Sequence, residues 1–306
     1  MALSSFSVQE DVSIVIVNYN CSALLTACVH SCLEQARQVI VVDNASSDLS
    51  LKELEANFPS EDRLCVICLE RNRGFAAGCN IGISAATESY ILFLNPDCLL
   101  GADSLQRMVQ VLEVDSRAGM VGGMLITPDG TEQIGCRRMI PTPWRSFVRA
   151  FSLYRFSSRW PRLFADFNLY KKAAPDGPVD VEAISGACML VRRDALSDVG
   201  PLDEGYFLHC EDFDWCMRFR QRGWKIMFVP DARVVHHQGM CSIHCPIFVQ
   251  WHKHKGMIRF YGKFFRRQYP GVLFWIVRFG VWLRFGAVVV YYNLKYIKQR
   301  LKHNRL

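Results

Sequence analysis

The sequence predicts an α/β fold built on a mostly parallel central sheet flanked by helices. Three observations predict it. Half of the 306 residues are hydrophobic and 21% are charged, so the chain has enough apolar material for a sizeable core. Runs of strand length, SIVIVN (13–18) and QVIVVD (38–43), are continuously apolar and rich in Val and Ile, as strands buried on both faces are. These runs alternate with helix-length segments through short loops, the pattern of right-handed βαβ units.

The elements follow in order. After the first strand, 21–34 reads as a helix. QVIVVD is the second strand, 48–57 a helix, RLCVICL (63–69) the third strand, 75–87 a helix and YILFLN (90–95) the fourth strand. Gly74, Gly78 and Gly82 recur every fourth residue, down one face of that helix, and suit close packing of helix on sheet. A helix at 102–116 and the strand MVGGMLI (120–126) come next. Residues 179–196 read as one strand with a small-residue break at Ser185, Gly186 and Ala187, where another molecule can approach the backbone. A helix begins near Glu211 and stops at Gly223; the strand KIMFVP and the segment ARVVHHQGMCS follow, then an amphipathic helix over 247–267.

In a sheet of this kind, ligands bind beyond the carboxyl ends of the strands. Three strands end there in polar residues: Asn18 and Asn20, Asp43 to Asp48, and Asn95-Pro96-Asp97. Pro96 fixes the backbone ahead of Asp97 and biases Asn95 towards an extended conformation, so the carboxylate is aimed. The sequence contains neither a P-loop nor a G-x-G-x-x-G fingerprint after the first strand, which argues against those two modes of phosphate binding. A divalent cation is the alternative holder of a diphosphate. Mg2+ or Mn2+ takes one or two carboxylates plus phosphate oxygens, and Asp97 is placed for that. Asp43 is placed to accept hydrogen bonds from a base or ribose. Glu211, Asp212 and Asp214 crowd one helical turn; acidic residues there suit the helix dipole, and a carboxylate among like charges and aromatic rings also suits a general base. His236, His237, Cys241, His244 and Cys245 match no usual structural zinc spacing, whereas one histidine joining Asp97 on a divalent metal fits better.

The charge is strongly asymmetric. The net charge of +7 divides into −7 over residues 1–231 and +14 over the remainder, which has no acidic residue. Residues 137–172 carry nine Lys or Arg against one Asp, interleaved with aromatic residues. Both segments suit an anionic membrane surface; a polyanion such as nucleic acid is the other general match, and none is expected here. The apolar stretch 272–292 is long enough to span a bilayer, but Arg278 and Arg284 favour a helix lying in the interface. No signal peptide is visible in the first 20 residues, and the 13 cysteines sit in apolar or helical runs, so reduced thiols and a cytoplasmic setting are expected.

Taken in order, SIVIVNYN, VIVVDNASSD, RNRGFAAGCNIGISAA, YILFLNPD, SGACMLVRRDAL, VGPLDEGYFLHCEDFDWCMRFRQRGW and VVHHQGMCS resemble the family 2 inverting glycosyltransferases of GT-A fold. The resemblance is strongest to the branch with bacterial rhamnosyltransferases of the WbbL type and covers about residues 12–245. It implies a transferase domain over 1–245, with a donor half at about 12–126 and an acceptor half at about 127–245, followed by a basic, aromatic, membrane-associating helical tail over 246–306. It implies that Asp43, with Asn18 and Asn20 nearby, binds the donor nucleoside, that Arg73, Asn80 and Asn95 contact the donor, and that Asp97 and His236 hold the metal, with His237 as the alternative ligand. Asn95 departs from the two-carboxylate form of the family's metal motif. Asp212 would be the general base, and Ser185, Gly186, Ala187 and Glu211 would line the sugar or acceptor pocket. The implied reaction inverts the anomeric centre while moving a sugar, rhamnose from dTDP-rhamnose in the nearest branch, to a saccharide acceptor, often polyprenyl-diphosphate-linked, at the cytoplasmic face of the plasma membrane. A UDP-hexose donor, or a non-catalytic membrane-binding protein on the same fold, are the competing readings; the former is separated by a donor panel and the latter by loss of donor binding. Oligomeric state is not legible.

Overall fold

The computed structural model describes residues 11–170, 172–239 and 245–303. Its first half contains β1 (Val12–Asn18), α1 (Ala23–Leu33), β2 (Gln38–Asp43), α2 (Ser50–Asn57), β3 (Leu64–Cys68), α3 (Phe75–Ala85) and β4 (Tyr90–Leu94). The four strands lie in the order β3-β2-β1-β4, all parallel. β1 is buried along its whole length, which is why it carries no alternation of polar residues. β3 is the edge strand, and its Val66 is exposed. A Cβ at Gly78 would lie 2.6 Å from Val17 Cγ1 and one at Gly82 would overlap Val15 Cγ1, so these glycines let α3 sit down on β1.

The chain continues through β5 (Cys98–Leu100), α4 (Ser104–Val114), β6 (Ala118–Ile126), β7 (Arg137–Arg138), α5 (Pro143–Ala150), α6 (Pro161–Phe164), β8 (Val179–Asp180), β9 (Ala183–Ile184), β10 (Cys188–Arg192), α7 (Arg193–Val199), α8 (Glu211–Gln221), β11 (Lys225–His236), α9 (Pro246–Phe264) and α10 (Gly271–His303). The parallel set is extended as β4-β10-β6-β11-β5. β10 runs antiparallel to both β4 and β6, while β6 and β11 are parallel.

Two expectations are corrected. Residues 179–196 are not one strand: β8, β9 and β10 are separate, and the chain turns into α7 at Arg193. Arg193 and Asp194 could not extend β10 between β4 and β6 without burying their charges. KIMFVP and ARVVH belong to one strand, β11, whose register against β6 shifts between Val229 and Arg233. Pro230 lacks the N–H that an unbroken ladder needs. The reduced state holds for eleven described cysteines, but Cys21 is disulfide-bonded.

α9 is part of the folded body rather than a separate appendage. Phe260, Tyr261, Phe264 and Phe265 join the hydrophobic core, and Gly256 brings α9 so close to the loop before α8 that a Cβ there would lie 2.9 Å from His209 O. α10 rests on α9 through Trp282 and Phe285, which pack on Trp251 and His254. Its other face is bare: Val272, Ile276, Phe279, Leu283, Val290 and Leu294 are exposed at helical spacing. The first ten residues, and Cys241 and His244 of the zinc reading, lie outside the described residues.

Candidate active site

β1 and β2 end side by side, with Asn18 paired to Asp43 in the ladder. Asn18 Nδ2 donates to Asp43 Oδ1 (2.7 Å) and to Ser46 Oγ (3.1 Å). Ser46 in turn donates its hydroxyl to Asp43 Oδ1 (2.6 Å) and its backbone N–H to Oδ2 (2.9 Å). The donating amide leaves Asn18 Oδ1 buried with no partner. An orphaned acceptor beside a carboxylate oxygen that receives one hydrogen bond suits a ligand that donates, such as a base N–H or ribose hydroxyl. Asn20 does different work. It holds a left-handed conformation (φ 55°), and its Oδ1 accepts from the N–H groups of Ser47 (2.8 Å) and Asp48 (3.3 Å), so it shapes the loop after β2.

Arg73 and Asn80, expected to contact the donor, have partners within the chain. Asn80 bridges α3 to the 201–205 loop, donating to Leu202 O (2.9 Å) and Glu204 Oε1 (3.0 Å) and accepting from Leu202 N–H (3.0 Å). All three contacts are internal, so its amide is occupied as a structural clamp. The Arg73 guanidinium lies 3.6 Å from Glu204 Oε2 in a half-exposed pair of little energetic weight, and only its backbone N–H, held by Asn44 Oδ1 (3.1 Å), is fixed.

Asp97 stands just beyond β4, where the chain reverses into β5. β5 pairs antiparallel with β11, with Cys98 opposite His236. That register carries His236 Nε2 to 3.2 Å from Asp97 Oδ1, both side chains being buried. His237 instead gives only its backbone N–H to Asp97 O (2.9 Å). Gln133, which sequence reasoning missed, fixes the imidazole. Its Nε2 donates to His236 O (2.5 Å), so its Oε1 is the atom facing His236 Nδ1 at 2.8 Å. Oε1 only accepts; in the neutral ring Nδ1 therefore carries the proton, and the Nε2 lone pair faces a carboxylate. Two facing acceptors call for a cation between them. Their 3.2 Å separation is close to the about 3.0 Å expected for neighbouring ligands on an octahedral ion with bonds of about 2.1 Å. Cys98 shares the cluster, but burial pushes its thiol pKa well up and Sγ faces Ala187 O at 3.6 Å, so it stays protonated and is a poor partner for a hard ion. No signal in the sequence marks Gln133, because it lies 103 residues from its partner.

The Ser185–Ala187 break joins this pair to the α8 carboxylates. Ala187 O accepts from Asn95 N–H (3.0 Å), and Gly186 N–H donates to Asp212 Oδ2 (3.2 Å). A Cβ at Gly186 would lie 3.3 Å from Asp212 Cβ, so the small residue lets the strand end meet the base candidate. Ser185 Oγ accepts from Ala187 N–H (3.3 Å) and so shapes the break itself. α8 is entered through two successive residues in the left-handed region, His209 (φ 68°) and Cys210 (φ 72°), a strained approach of the kind found at functional sites.

Asp212 is held tightly. Oδ2 also accepts from Arg138 Nη2 (2.5 Å), and Oδ1 accepts from Phe213 N–H (2.8 Å). Arg138 is sandwiched against the Phe213 ring, 4.0 Å from its centroid. Burial pushes the Asp212 pKa up, but the Arg138 guanidinium and the two N–H groups outweigh it and hold the carboxyl below its ordinary range. Glu211 goes the other way. Burial and the Asp212 charge raise its pKa, and its Oε2 is buried without a partner. Asp214 is outside this group: it accepts from Tyr206, Arg218 and Lys263 and anchors α8.

The model of the family described as glycosyl transferase family 2 matches residues 13–200, from β1 through α7. The chain belongs to that family. It is 27% identical over 216 residues, 67% of this chain and 68% of the relative, to the N-acetylglucosaminyl-diphospho-decaprenol L-rhamnosyltransferase of Mycobacterium tuberculosis. To rhamnosyltransferase WbbL of Escherichia coli it is also 27% identical, over 65% of this chain and 72% of the relative. Among solved structures it is similar to GalNAc-T7 with UDP, GalNAc and Mn2+ (TM-score 0.55, 18% identity, 74% of this chain). It spans 43% of the length of that glycosyltransferase, so this likeness speaks to the GT-A fold alone. The chain is thus a family 2 glycosyltransferase with a GT-A fold.

Proposed function

We propose that the chain is an inverting, metal-assisted glycosyltransferase that moves rhamnose from dTDP-rhamnose to a hydroxyl of a saccharide carried on polyprenyl diphosphate, in cell-surface polysaccharide synthesis. The observation that carries the reading is one continuous constellation. Asp97 faces His236, Asn95 is tied to Ala187, and Gly186 is tied to Asp212. Donor and acceptor chemistry can therefore share one cleft. The relatives named as rhamnosyltransferases, one acting on a decaprenol-linked GlcNAc, support the choice of donor and acceptor class.

In this mechanism Asp43, Asn18 and Ser46 form the nucleoside end of the donor site. Asp97 and His236 would hold Mg2+ or Mn2+, with Gln133 orienting the imidazole. The cation supplies electrostatic stabilisation of the charge that develops on the departing nucleoside diphosphate. Asp212 takes the acceptor hydroxyl proton as the hydroxyl oxygen forms its bond to the anomeric carbon and the bond to the diphosphate breaks. One in-line displacement inverts that carbon. Glu211, with its raised pKa and unpartnered oxygen, is suited to donate a hydrogen bond to a sugar hydroxyl in the pocket made with Ser185, Gly186 and Ala187.

The test is release of nucleoside diphosphate by the purified protein with Mg2+ or Mn2+ across dTDP-, UDP- and GDP-sugars, with a polyprenyl-linked GlcNAc acceptor. Turnover of dTDP-rhamnose that chelation abolishes is expected. Turnover of a UDP-hexose alone would replace the donor, and neither binding nor turnover of any donor would overturn the reading.

The same proposal puts the enzyme on the cytoplasmic face of the membrane, with α10 in the interface. Its bare apolar face suits lipid, and the basic residues after it suit anionic headgroups. Washing membranes with high salt should release the protein; retention until detergent is added would favour a spanning helix instead.

A further inference from the structure

We propose that Lys253 and Arg284, with Arg138, form a binding site for the diphosphate of the lipid-linked acceptor, beside Asp212. The inference rests on the transferase reading and adds to it the anchor that holds the acceptor.

Lys253 lies on α9 where that helix crosses the entry to α8. Its carbonyl faces the Cys210 thiol at 3.9 Å, one helical turn from the close approach at Gly256. The side chain is partly buried, yet its ammonium has no hydrogen bond or ion pair among the described residues. Burial pushes its pKa down; the Cys210 and Asp212 charges oppose that shift, and the Arg284 and Arg138 guanidiniums add to it. A partly buried cation with no direct partner is costly unless an anion arrives.

Arg284 is the second observation. It interrupts an apolar helix and, although the residue is exposed, its guanidinium reaches α9: Nη1 lies 3.5 Å from His254 Nε2. His254 Nδ1 faces Gln250 O at 2.6 Å, which assigns the proton to Nδ1 and leaves Nε2 an acceptor. The only partner of Arg284 among the described residues is therefore a neutral ring. Residues 232–306 contain no Asp or Glu, so α9 and α10 cannot supply a counter-charge. Asp212 is already taken by Arg138, whose own Nε is buried without an acceptor.

Lys253 and Arg284, which have no anionic partner among the described residues, together with the unpartnered Nε of Arg138, match a group with two to three negative charges. Arg suits a phosphate geometrically and Lys suits it as a point charge. The surroundings suit the remainder of such a lipid. Phe207, Phe248 and His252 stack into an aromatic wall, with ring centroids 4.3–5.6 Å apart.

The experiment measures binding of farnesyl diphosphate and farnesol to the full chain in detergent with EDTA, which silences the metal-dependent donor site. Lys253→Gln and Arg284→Gln are compared with wild type. Each variant is expected to weaken farnesyl diphosphate binding about tenfold or more, to leave farnesol binding unchanged, and to raise KM for the lipid-linked acceptor while the donor KM in Mn2+ stays constant. Intact donor binding certifies the fold of each variant. Wild-type affinity for farnesyl diphosphate in both variants, or equal competition by phosphatidylglycerol vesicles, would overturn the site. Either result would leave the transferase reading standing, since that reading is judged by donor turnover.

Discussion

Replacing Asp97 by alanine is expected to lower kcat/KM by at least about 10³-fold at saturating Mn2+, since stabilising charge on the departing diphosphate is worth several kcal/mol. The carboxylate is buried beside His236, and among the described residues the one other group in that cluster able to ligate a metal is the Cys98 thiol, a poor partner for a hard ion. The loss should be accompanied by loss of Mn2+ binding, measured by quenching of tryptophan fluorescence or by electron paramagnetic resonance of the free ion. Thermal stability should hold or rise, because a buried carboxylate facing an acceptor nitrogen is removed. Near-normal turnover in metal-replete buffer would remove Asp97 from the mechanism and the metal with it.

The second large effect is at Asp212. Asp212→Asn keeps the shape and the hydrogen bond from Phe213 but cannot take a proton, so kcat should fall by about 10²–10⁴ with donor affinity unchanged. The pH dependence then separates base from bystander. Burial raises the carboxyl pKa and Arg138 more than offsets it, so in the native protein Asp212 stays ionised to below the ordinary carboxylate value of 3.8. In Arg138→Gln the raising influence of burial is left in command. The pKa climbs, the carboxylate is protonated at higher pH, and the acid limb of kcat/KM must move upward. A limb that stays in place or moves down would assign the proton transfer to another group.

The first half of this fold was legible because its signals are local. Continuous apolar runs give the buried strands, and glycines every fourth residue give the seam of α3 on β1. The polar ends of β1, β2 and β4 followed from topology alone, since parallel strands deliver their carboxyl ends to one edge. The second half was harder to read. Its strands are two to five residues long except β6 and β11, and a proline breaks the register of β11. Short strands show no period, which is why β10 and α7 merged into one expected strand.

Site residues divided in the same way. Asp43, Asp97 and Asp212 could be singled out from their place in motifs, whereas their partners could not. Asn20 and Asn80 have the right residue type and neighbourhood for ligand contacts, but folding uses their amides for a loop and a helix clamp. Arg138 lies 74 residues from Asp212 and Gln133 lies 103 from His236, and no local pattern links either pair.

By itself, then, the sequence determined the sheet edge, the family and the carboxylates, because those depend on local hydrophobic pattern and on the ordered set of motifs. Only the tertiary structure decided which histidine meets Asp97, since neighbouring residues on β11 differ only in the direction of their side chains and the antiparallel pairing with β5 selects one of them. Only packing, likewise, decided that the Arg284 guanidinium lies beside His254 of α9. Charge placement in space is a sum over elements far apart in the chain, and the chain's own order does not carry it.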